Sequence, residues 1–127
     1  TMLQQGQGWI INISSNAAIF PGPGPYTDVR PVRAFMYAAT KAALERLTQG
    51  LAVEYQAQGV SANVLSPVGR VRTPGNVFGM TPPGGTPEPF ETAEAMGKAA
   101  VFIASQPPQS FTGNILFDEE IVRQYQL

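Results

Sequence analysis

The sequence contains no cysteine and no histidine among its 127 residues. The first absence excludes disulfides, thiol nucleophiles and thiolate metal sites. The second excludes imidazole metal ligands and every hydrolytic triad that relies on histidine. We therefore expect no metal site, and we expect any proton transfer to use tyrosine, lysine, serine or a carboxylate.

Charge and long apolar runs are also scarce. Charged residues make up 13% of the chain, and eight Lys+Arg against nine Asp+Glu give a formal net charge of −1. The chain has no basic cluster of the kind that binds nucleic acid or anionic lipid. No apolar run approaches the roughly 20 residues of a membrane span, and no basic-then-apolar leader begins the sequence. These absences predict a cytoplasmic protein without nucleic-acid or membrane partners.

Hydrophobic residues form 43% of the chain, which is enough to bury a core. Short, mostly β-branched apolar runs alternate with longer segments of helical period. The predicted order is strand, helix, strand, helix, strand, over residues 9–13, 34–58, 60–65, 92–105 and 114–117. This order predicts an α/β fold, a partial doubly wound, Rossmann-like parallel sheet of three strands and two main helices with right-handed crossovers.

Two segments are crowded with proline and glycine, which favour turns and remove backbone donors. The first covers residues 19–31 and the second covers residues 66–90, which hold six Pro and five Gly. We expect both to be loops. A connection as long as the second is usually a functional lid, so residues 66–90 are the predicted substrate-loop region. Thr92 is the predicted cap of the helix that follows.

Three side chains could carry chemistry without histidine. Tyr37 and Lys41 stand four residues apart on the first predicted helix, which places both on one face. An ammonium near a phenol favours the phenolate, so the pair could move a proton. Ser15 ends the first predicted strand, where a hydroxyl can reach a ligand crevice and bond a reacting carbonyl oxygen. The alternatives are an accidental pair on a surface helix and a serine that serves a turn.

Several short motifs together resemble one known family, the short-chain dehydrogenases/reductases. They occur in that family's order, span about residues 8–118, and look like the second half of a member. The motifs are Ile11-Asn-Ile-Ser-Ser15, Tyr37-Ala-Ala-Thr-Lys41, Val60-Ser-Ala-Asn-Val-Leu-Ser-Pro67, and Thr112-Gly113-Asn114 followed by Asp118.

The resemblance implies an NAD(P)-dependent oxidoreductase that acts on a small-molecule carbonyl or alcohol. In such an enzyme Tyr37 would be the proton donor and acceptor, Lys41 would assist it and bind the nicotinamide ribose, and Ser15 would orient and polarise the carbonyl. The segment after the second strand would lie against the nicotinamide. The implied cofactor-binding residues are Tyr37, Lys41, Pro67, Val68, Gly69 and Thr73.

The sequence departs from the family pattern at three places. The Pro-Gly that follows the second strand in the family is Pro67-Val68-Gly69 here, and the interval from Ser15 to Tyr37 is longer than usual. The Gly-rich turn that places the cofactor pyrophosphate at a helix N-terminus has no counterpart in residues 1–127. We therefore expect a single partial domain, the C-terminal half of a Rossmann fold. The complete fold is expected to bind NAD or NADP, and this chain by itself need not bind either.

Two interpretations of function remain open at this stage. In the first, the chain is a truncated oxidoreductase whose activity needs the missing N-terminal half. In the second, it is a non-catalytic remnant that acts as an assembly or interaction module. Both predict association, either as a homo-oligomer or with that missing half, because the first strand has no second partner. In the family, the helix that bears the Tyr/Lys pair commonly packs against its copy in a partner subunit.

Overall fold

The computed structural model describes residues 1–26, 35–80, 85 and 89–127. Its centre is a three-stranded parallel sheet in the order β1-β2-β3, with β1 at Gly8–Ile13, β2 at Val60–Ser66 and β3 at Ile115–Phe117. In register, Gly8 of β1 lies opposite Val60 of β2. The predicted α/β class and the parallel pairing of all three strands are confirmed.

The helices are more numerous than the two that the hydrophobic pattern predicts. The long helix α2, at Phe35–Tyr55, is followed by a single 3₁₀ turn at Gln56–Gln58. Gly59 ends this turn in the left-handed conformation, with φ +79°. Another 3₁₀ turn, Asn16–Ile19, follows β1 directly. The α-helices of the described chain are α1 (Met2–Gln5), α2 (Phe35–Tyr55), α3 (Pro74–Met80), α4 (Glu94–Ser105) and α5 (Asp118–Tyr125).

Helices cover both faces of the sheet. Asn12 of β1 and Ser14, the residue directly after that strand, contact α2. Ile11 of β1 and Leu65 of β2 pack against α4 and α5. Because successive side chains of a strand point to opposite faces, α2 and α4 lie on opposite sides. The two crossovers advance across the sheet in the same direction but on opposite faces, so they have opposite hands. The expectation that both are right-handed is therefore wrong for one of them.

The apolar core lies between the sheet and α4 and α5. Its fully buried members are Leu65, Ala99, Ile103 and Ile121, and partly buried side chains such as Phe102 and Phe111 surround them. Phe102 and Phe111 meet edge to face, with ring centroids 5.8 Å apart. The face that carries α2 also buries apolar residues, namely Ala52 of α2 and Val60, Ala62 and Val64 of β2, which alternate with Leu65 along the strand.

The region predicted as one loop over residues 66–90 contains a helix, α3. The helix forms because Thr73 caps it, its Oγ1 accepting a hydrogen bond from the Asn76 backbone N–H at 3.1 Å, and because Pro74 fits the first helical position. The loop interpretation overlooked this local signal. Residues 81–84 and 86–88 of the predicted lid lie outside the described residues, as do residues 27–34 of the earlier proline-rich segment.

Two further boundaries differ from the predictions. Helix α4 begins at Glu94 and not at Thr92, and its N-cap residue, Ala93, makes no side-chain capping bond. The Glu94 carboxylate stands in the first turn, where the helix dipole favours negative charge. Helix α5 was not predicted at all; Asp118 opens it, with Oδ1 accepting from the Glu119 N–H at 2.9 Å.

The outer edge of β1 has no paired strand within the described residues. Gly8 and Ser14 donate their N–H groups to β2, so the intervening odd-numbered residues direct their N–H and C=O groups toward the open edge. Such an edge is a template for a further strand. In the described part of the chain, no helix is both long and apolar enough to cross a membrane.

Candidate active site

A cleft of about 830 Å³ lies at the carboxyl end of the sheet, where β1 and β2 end. Crevices in open α/β sheets lie at this end of the strands. The turn after β1, the start of α2 and the loop after β2 together form its walls. The lining residues include Ser15, Tyr37, Pro67, Val68 and Gly69. Five of the seven residues singled out from the sequence therefore meet in one cavity.

Ser15 is fixed by the turn that follows β1. It is the N-cap of the 3₁₀ turn, and its Oγ accepts a hydrogen bond from the Ala17 backbone N–H at 3.2 Å. Because this contact uses a lone pair, the hydroxyl proton stays available for donation to an oxygen in the cleft. The neighbouring Ser14 is only 3% exposed and donates its own proton to Glu45, so Ser15 is the better candidate of the two.

Tyr37 and Lys41 lie on the first turns of α2, beside the same strand end. Tyr37 lines the cleft and is 49% exposed. Lys41 Nζ lies 5.6 Å from the centroid of the Tyr37 ring and donates a hydrogen bond to the backbone oxygen of Ile13 at 2.8 Å. The ammonium is thus held between the phenol and the open edge of β1.

The loop after β2 accommodates the extra residue of Pro67-Val68-Gly69 without leaving the cleft. The Val68 N–H donates to Asp118 Oδ1 at 2.9 Å, and the Val68 oxygen accepts from Asn16 Nδ2 at 3.0 Å. The inserted residue is therefore held on both sides of its backbone. A Cβ on Gly69 would overlap the Glu91 carboxylate, so a larger residue at this position would displace that side chain.

Thr73 is the predicted cofactor contact that the structure places elsewhere. It lines a separate depression with Arg72, Pro74 and Phe78, and its hydroxyl is engaged as the cap of α3. In the sequence, Thr73 also comes one residue later than in the family pattern.

Four residues at the site were not predicted from the sequence to be functional. Asn16 and Arg70 line the cleft, as does Asn76, whose Nδ2 donates to the Val71 oxygen at 2.7 Å. Asp118 is 2% exposed and anchors Val68 from the far end of the chain. The position of Asn16, directly after Ser15, was an available signal. Arg70 directly follows Gly69 and Asn76 lies on α3, so both belong to the segment after β2. Asp118 ends the last family motif, but its contact with Val68 joins distant segments, which no local pattern shows.

The arrangement of the sheet and the crevice by itself defines a class of protein. A parallel sheet with helices on both faces, and a crevice at its carboxyl edge, is a Rossmann-like fragment. The crevice holds one hydroxyl, one phenol and one nearby ammonium, which together can donate a hydrogen bond to an oxygen and exchange a proton with it. Among the described residues no group of three acidic side chains could hold a metal ion.

The chain belongs to the short-chain dehydrogenase family. A profile of the short chain dehydrogenases matches residues 1–77, which is more than half of the chain. The resemblance inferred from the motifs is thereby confirmed, and the family consists of NAD(P)-dependent oxidoreductases.

Two curated relatives illustrate the match. The 4-formylbenzenesulfonate dehydrogenase of Comamonas testosteroni is 30% identical over 120 residues, which cover 87% of this chain and 44% of the relative. The galactitol 2-dehydrogenase of Cereibacter sphaeroides, which forms L-tagatose, is 34% identical over an alignment of 127 positions, gaps included. That alignment covers 91% of this chain and 45% of that enzyme.

Solved structures align with the fold over a similar share of each chain. A gluconate 5-dehydrogenase from Burkholderia cenocepacia, solved with NADP and tartrate, aligns with a TM-score of 0.65 at 30% identity, covering 91% of this chain and 45% of that one. A short chain dehydrogenase/reductase family protein reaches a TM-score of 0.70 at 36% identity, with 91% and 46% coverage. The chain thus spans less than half the length of these relatives.

Proposed function

We propose that this chain carries the catalytic centre of an NAD(P)-dependent oxidoreductase that interconverts a carbonyl and an alcohol. The observation that supports this most is the meeting of Ser15 and Tyr37 in one cleft, with the Lys41 ammonium 5.6 Å from the Tyr37 ring. Family membership supports the reaction type, and this geometry supports the choice of residues.

Each of the three side chains has a distinct proposed role. Tyr37 gives its phenolic proton to the substrate oxygen during reduction and takes it back during oxidation. The Lys41 ammonium stabilises the phenolate that forms in between, by electrostatic attraction. Ser15 donates a hydrogen bond to the same substrate oxygen and stabilises the charge that develops there.

The nicotinamide cofactor, NAD or NADP, supplies the hydride when it is bound. The residues present fit its nicotinamide end, because the cleft is walled by the backbone of residues 67–69 and Lys41 stands at its edge. Tyr37, Lys41, Pro67, Val68 and Gly69 are the proposed contacts, and Thr73 is a proposed contact from outside the cleft. None of the described helices begins with a Gly-rich turn that could hold the pyrophosphate, so we assign that task to polypeptide outside residues 1–127.

The proposed substrate is a small carbonyl compound or alcohol. The named relatives include an enzyme that acts on a sulfonated aldehyde and one that acts on a sugar alcohol, which supports this breadth and no narrower class. The cytoplasm is the proposed location, on the sequence grounds given above.

The direct test is cofactor binding and turnover, measured on the 127-residue chain and on the complete reading frame that carries it. We expect saturable enhancement of NADH or NADPH fluorescence in the complete protein, and oxidation of that cofactor by a carbonyl substrate. Lys41→Ala is expected to weaken cofactor binding at least about tenfold, because it removes the cationic contact. A complete protein that neither binds nor oxidises either cofactor contradicts the proposal.

A second candidate function is assembly, favoured by two surfaces. One is the open edge of β1, and the other is the exposed surface of α2, which carries Met36 and Leu47 on one side and Val53 on another. Exposed apolar patches of this kind mark interaction sites. In this alternative the chain completes the sheet of a partner or forms a homo-oligomer without turning over substrate. Cofactor oxidation by the 127-residue chain alone would exclude it.

A further inference from the structure

The contact between β1 and α2 is made by polar side chains. Asn12 Nδ2 donates to Thr48 Oγ1 at 2.8 Å, and Ser14 Oγ donates to Glu45 Oε1 at 2.9 Å. The two strand residues alternate along one face of β1, and the two helix residues are three apart on one face of α2. We call these two pairs the polar ladder. It sets the position of the helix along the strand through directional contacts, which apolar packing does not impose.

Among the four residues of the polar ladder, Glu45 carries the largest free-energy cost of burial. It is 6% exposed, and its partner Ser14 is 3% exposed. Removing a carboxylate from water costs several kcal/mol, and a single hydroxyl donor offsets only part of that cost. An apolar side chain of similar size would avoid the penalty. A buried carboxylate at this place therefore points to a requirement for its acceptor oxygen.

The Glu45–Ser14 pair adjoins the proposed catalytic residues on both of its sides. Glu45 lies one helical turn beyond Lys41, and Ser14 directly precedes Ser15. The pair thus ties the strand end that carries the serine to the helix that carries the tyrosine and lysine. The Asn12–Thr48 pair lies farther from the cleft along both elements.

We propose that Glu45 is a positioning residue for the reaction, acting through Ser14 on the placement of Ser15 relative to Tyr37. This inference rests on the proposed function. Catalytic groups must be held within fractions of an ångström, and a displacement of about 1 Å can cost 10²-fold in rate. The buried hydrogen bond from Ser14 to Glu45 supplies that constraint at the one strand residue adjacent to the catalytic hydroxyl.

The kinetic test compares Glu45→Leu, Glu45→Gln and Thr48→Val in the complete protein. Glu45→Leu is expected to lower kcat about 10-fold to 100-fold with KM little changed, because orientation and not binding is lost. Glu45→Gln keeps an acceptor oxygen and should stay within about threefold of the parent enzyme. Thr48→Val breaks the other ladder pair and should lower the melting temperature while leaving kcat unchanged. Equal losses of kcat in Glu45→Leu and Thr48→Val would overturn the proposal.

A double-mutant cycle tests whether Glu45 acts through Ser14. Ser14→Ala should reproduce the loss of kcat, and Ser14→Ala combined with Glu45→Leu should lose no more than either change alone. Independent, multiplying losses contradict the assignment. Where Glu45→Leu folds poorly, Ser14→Ala still tests the proposal, because it is a small change that removes the hydroxyl donor to Glu45. A Ser14→Ala enzyme with the kcat of the parent would overturn it.

A readout without turnover separates this inference from the proposed function. In ¹H–¹⁵N spectra of the same variants, Glu45→Leu should shift the backbone amide signals of Ser15 and Ala17, which are distant from it in sequence, and Thr48→Val should leave both in place. If the parent protein turns over no substrate, the proposed function fails while the spectra still test the positioning. Ser15 and Ala17 signals that do not move in Glu45→Leu overturn the inference.

Discussion

The three proposed catalytic side chains differ in how the fold holds their polar atoms. Ser15 Oγ is bound by the Ala17 N–H, and Lys41 Nζ is bound to the Ile13 oxygen. Within the described residues the Tyr37 hydroxyl makes no hydrogen bond, and its ring is half exposed to the cleft. The serine and lysine are thus placed in advance, whereas the phenol is free to meet a substrate oxygen.

This difference yields a graded expectation for two conservative substitutions. Tyr37→Phe deletes the proton that the reaction transfers, so kcat should fall by about 10³-fold to 10⁴-fold while the cofactor dissociation constant changes little. Ser15→Ala removes one hydrogen bond to developing charge and should cost about 10²-fold. Initial rates of NAD(P)H oxidation and a fluorescence titration of cofactor measure both. A Tyr37→Phe enzyme as fast as the parent would refute the assigned role.

At the scale of elements, the junction between the end of α2 and the start of β2 depends on one glycine. Gly59 adopts φ +79°, and a Cβ there would overlap the backbone oxygen of Gly6. The glycine lets the chain reverse from helix to strand while the segment before β1 packs against it. The register of β1 against β2 starts beside this point, since the Gly8 N–H donates to the Gly59 oxygen at 3.0 Å.

Alanine at Gly59 should therefore destabilise the protein. The left-handed backbone alone costs an L-residue about 1–2 kcal/mol, and the overlap with Gly6 adds to it. The matched control is Gly97→Ala, in the exposed part of α4, where a Cβ meets nothing within 4 Å. That change should raise the free energy of unfolding by about 0.5–1 kcal/mol through helix propensity. Chemical denaturation followed by circular dichroism distinguishes the two, and a neutral Gly59→Ala would contradict this account.

The hydrophobic pattern was sufficient for the strands and the longer helices. Short apolar runs predicted all three strands, and apolar residues at helical period predicted α2 and α4. The buried residues of α2 are nevertheless Glu45, Thr48 and Ala52, whereas Leu47 is 59% exposed. It missed α5, an eight-residue helix rich in charge, and α3, whose Pro74 and Gly75 are typical of loops. In these two short helices the start is marked by single polar side chains, the cap Thr73 for α3 and the first residue Asp118 for α5. The apolar pattern carries little information there.

The site could be predicted only as far as local motifs reach. Tyr37 and Lys41 are one turn apart in sequence, and Ser15 ends a recognisable strand. The contacts that fix their surroundings join distant segments, as Val68 with Asp118 and Ser14 with Glu45 show. The opposite hands of the two crossovers are likewise a property of the assembled sheet, so the local pattern could not supply them.

At the scale of the whole molecule, the chain matches only part of each relative's length and leaves one edge of its sheet open. It covers 44–46% of the relatives described above, and the outer edge of β1 is unpaired in the described residues. The apolar residues of α2 that face outward lie on the opposite side of the sheet from the core around Leu65. We expect this helix surface to be covered by a second subunit.

A charge placed on that surface should separate the subunits. Leu47→Lys puts an ammonium at a side chain that is 59% exposed in the single chain, and burying it in an interface would cost several kcal/mol. Val101→Lys, on the exposed side of α4, is the control and should leave the mass unchanged. Light scattering coupled to size-exclusion chromatography gives the molar mass directly. A parent protein that is monomeric at every concentration would contradict the expectation.

The central claim is that Ser15, Tyr37 and Lys41 form the centre at which hydride and proton meet a carbonyl group. The most direct measurement is the transfer of deuterium from [4,4-²H₂]NAD(P)H to the carbinol carbon of the product. Mass spectrometry of the product is compared between the complete protein and its Tyr37→Phe variant. The account predicts one deuterium per product molecule with the parent protein and almost none with the variant over the same time. Equal deuterium transfer by both, or none by the parent, would contradict it.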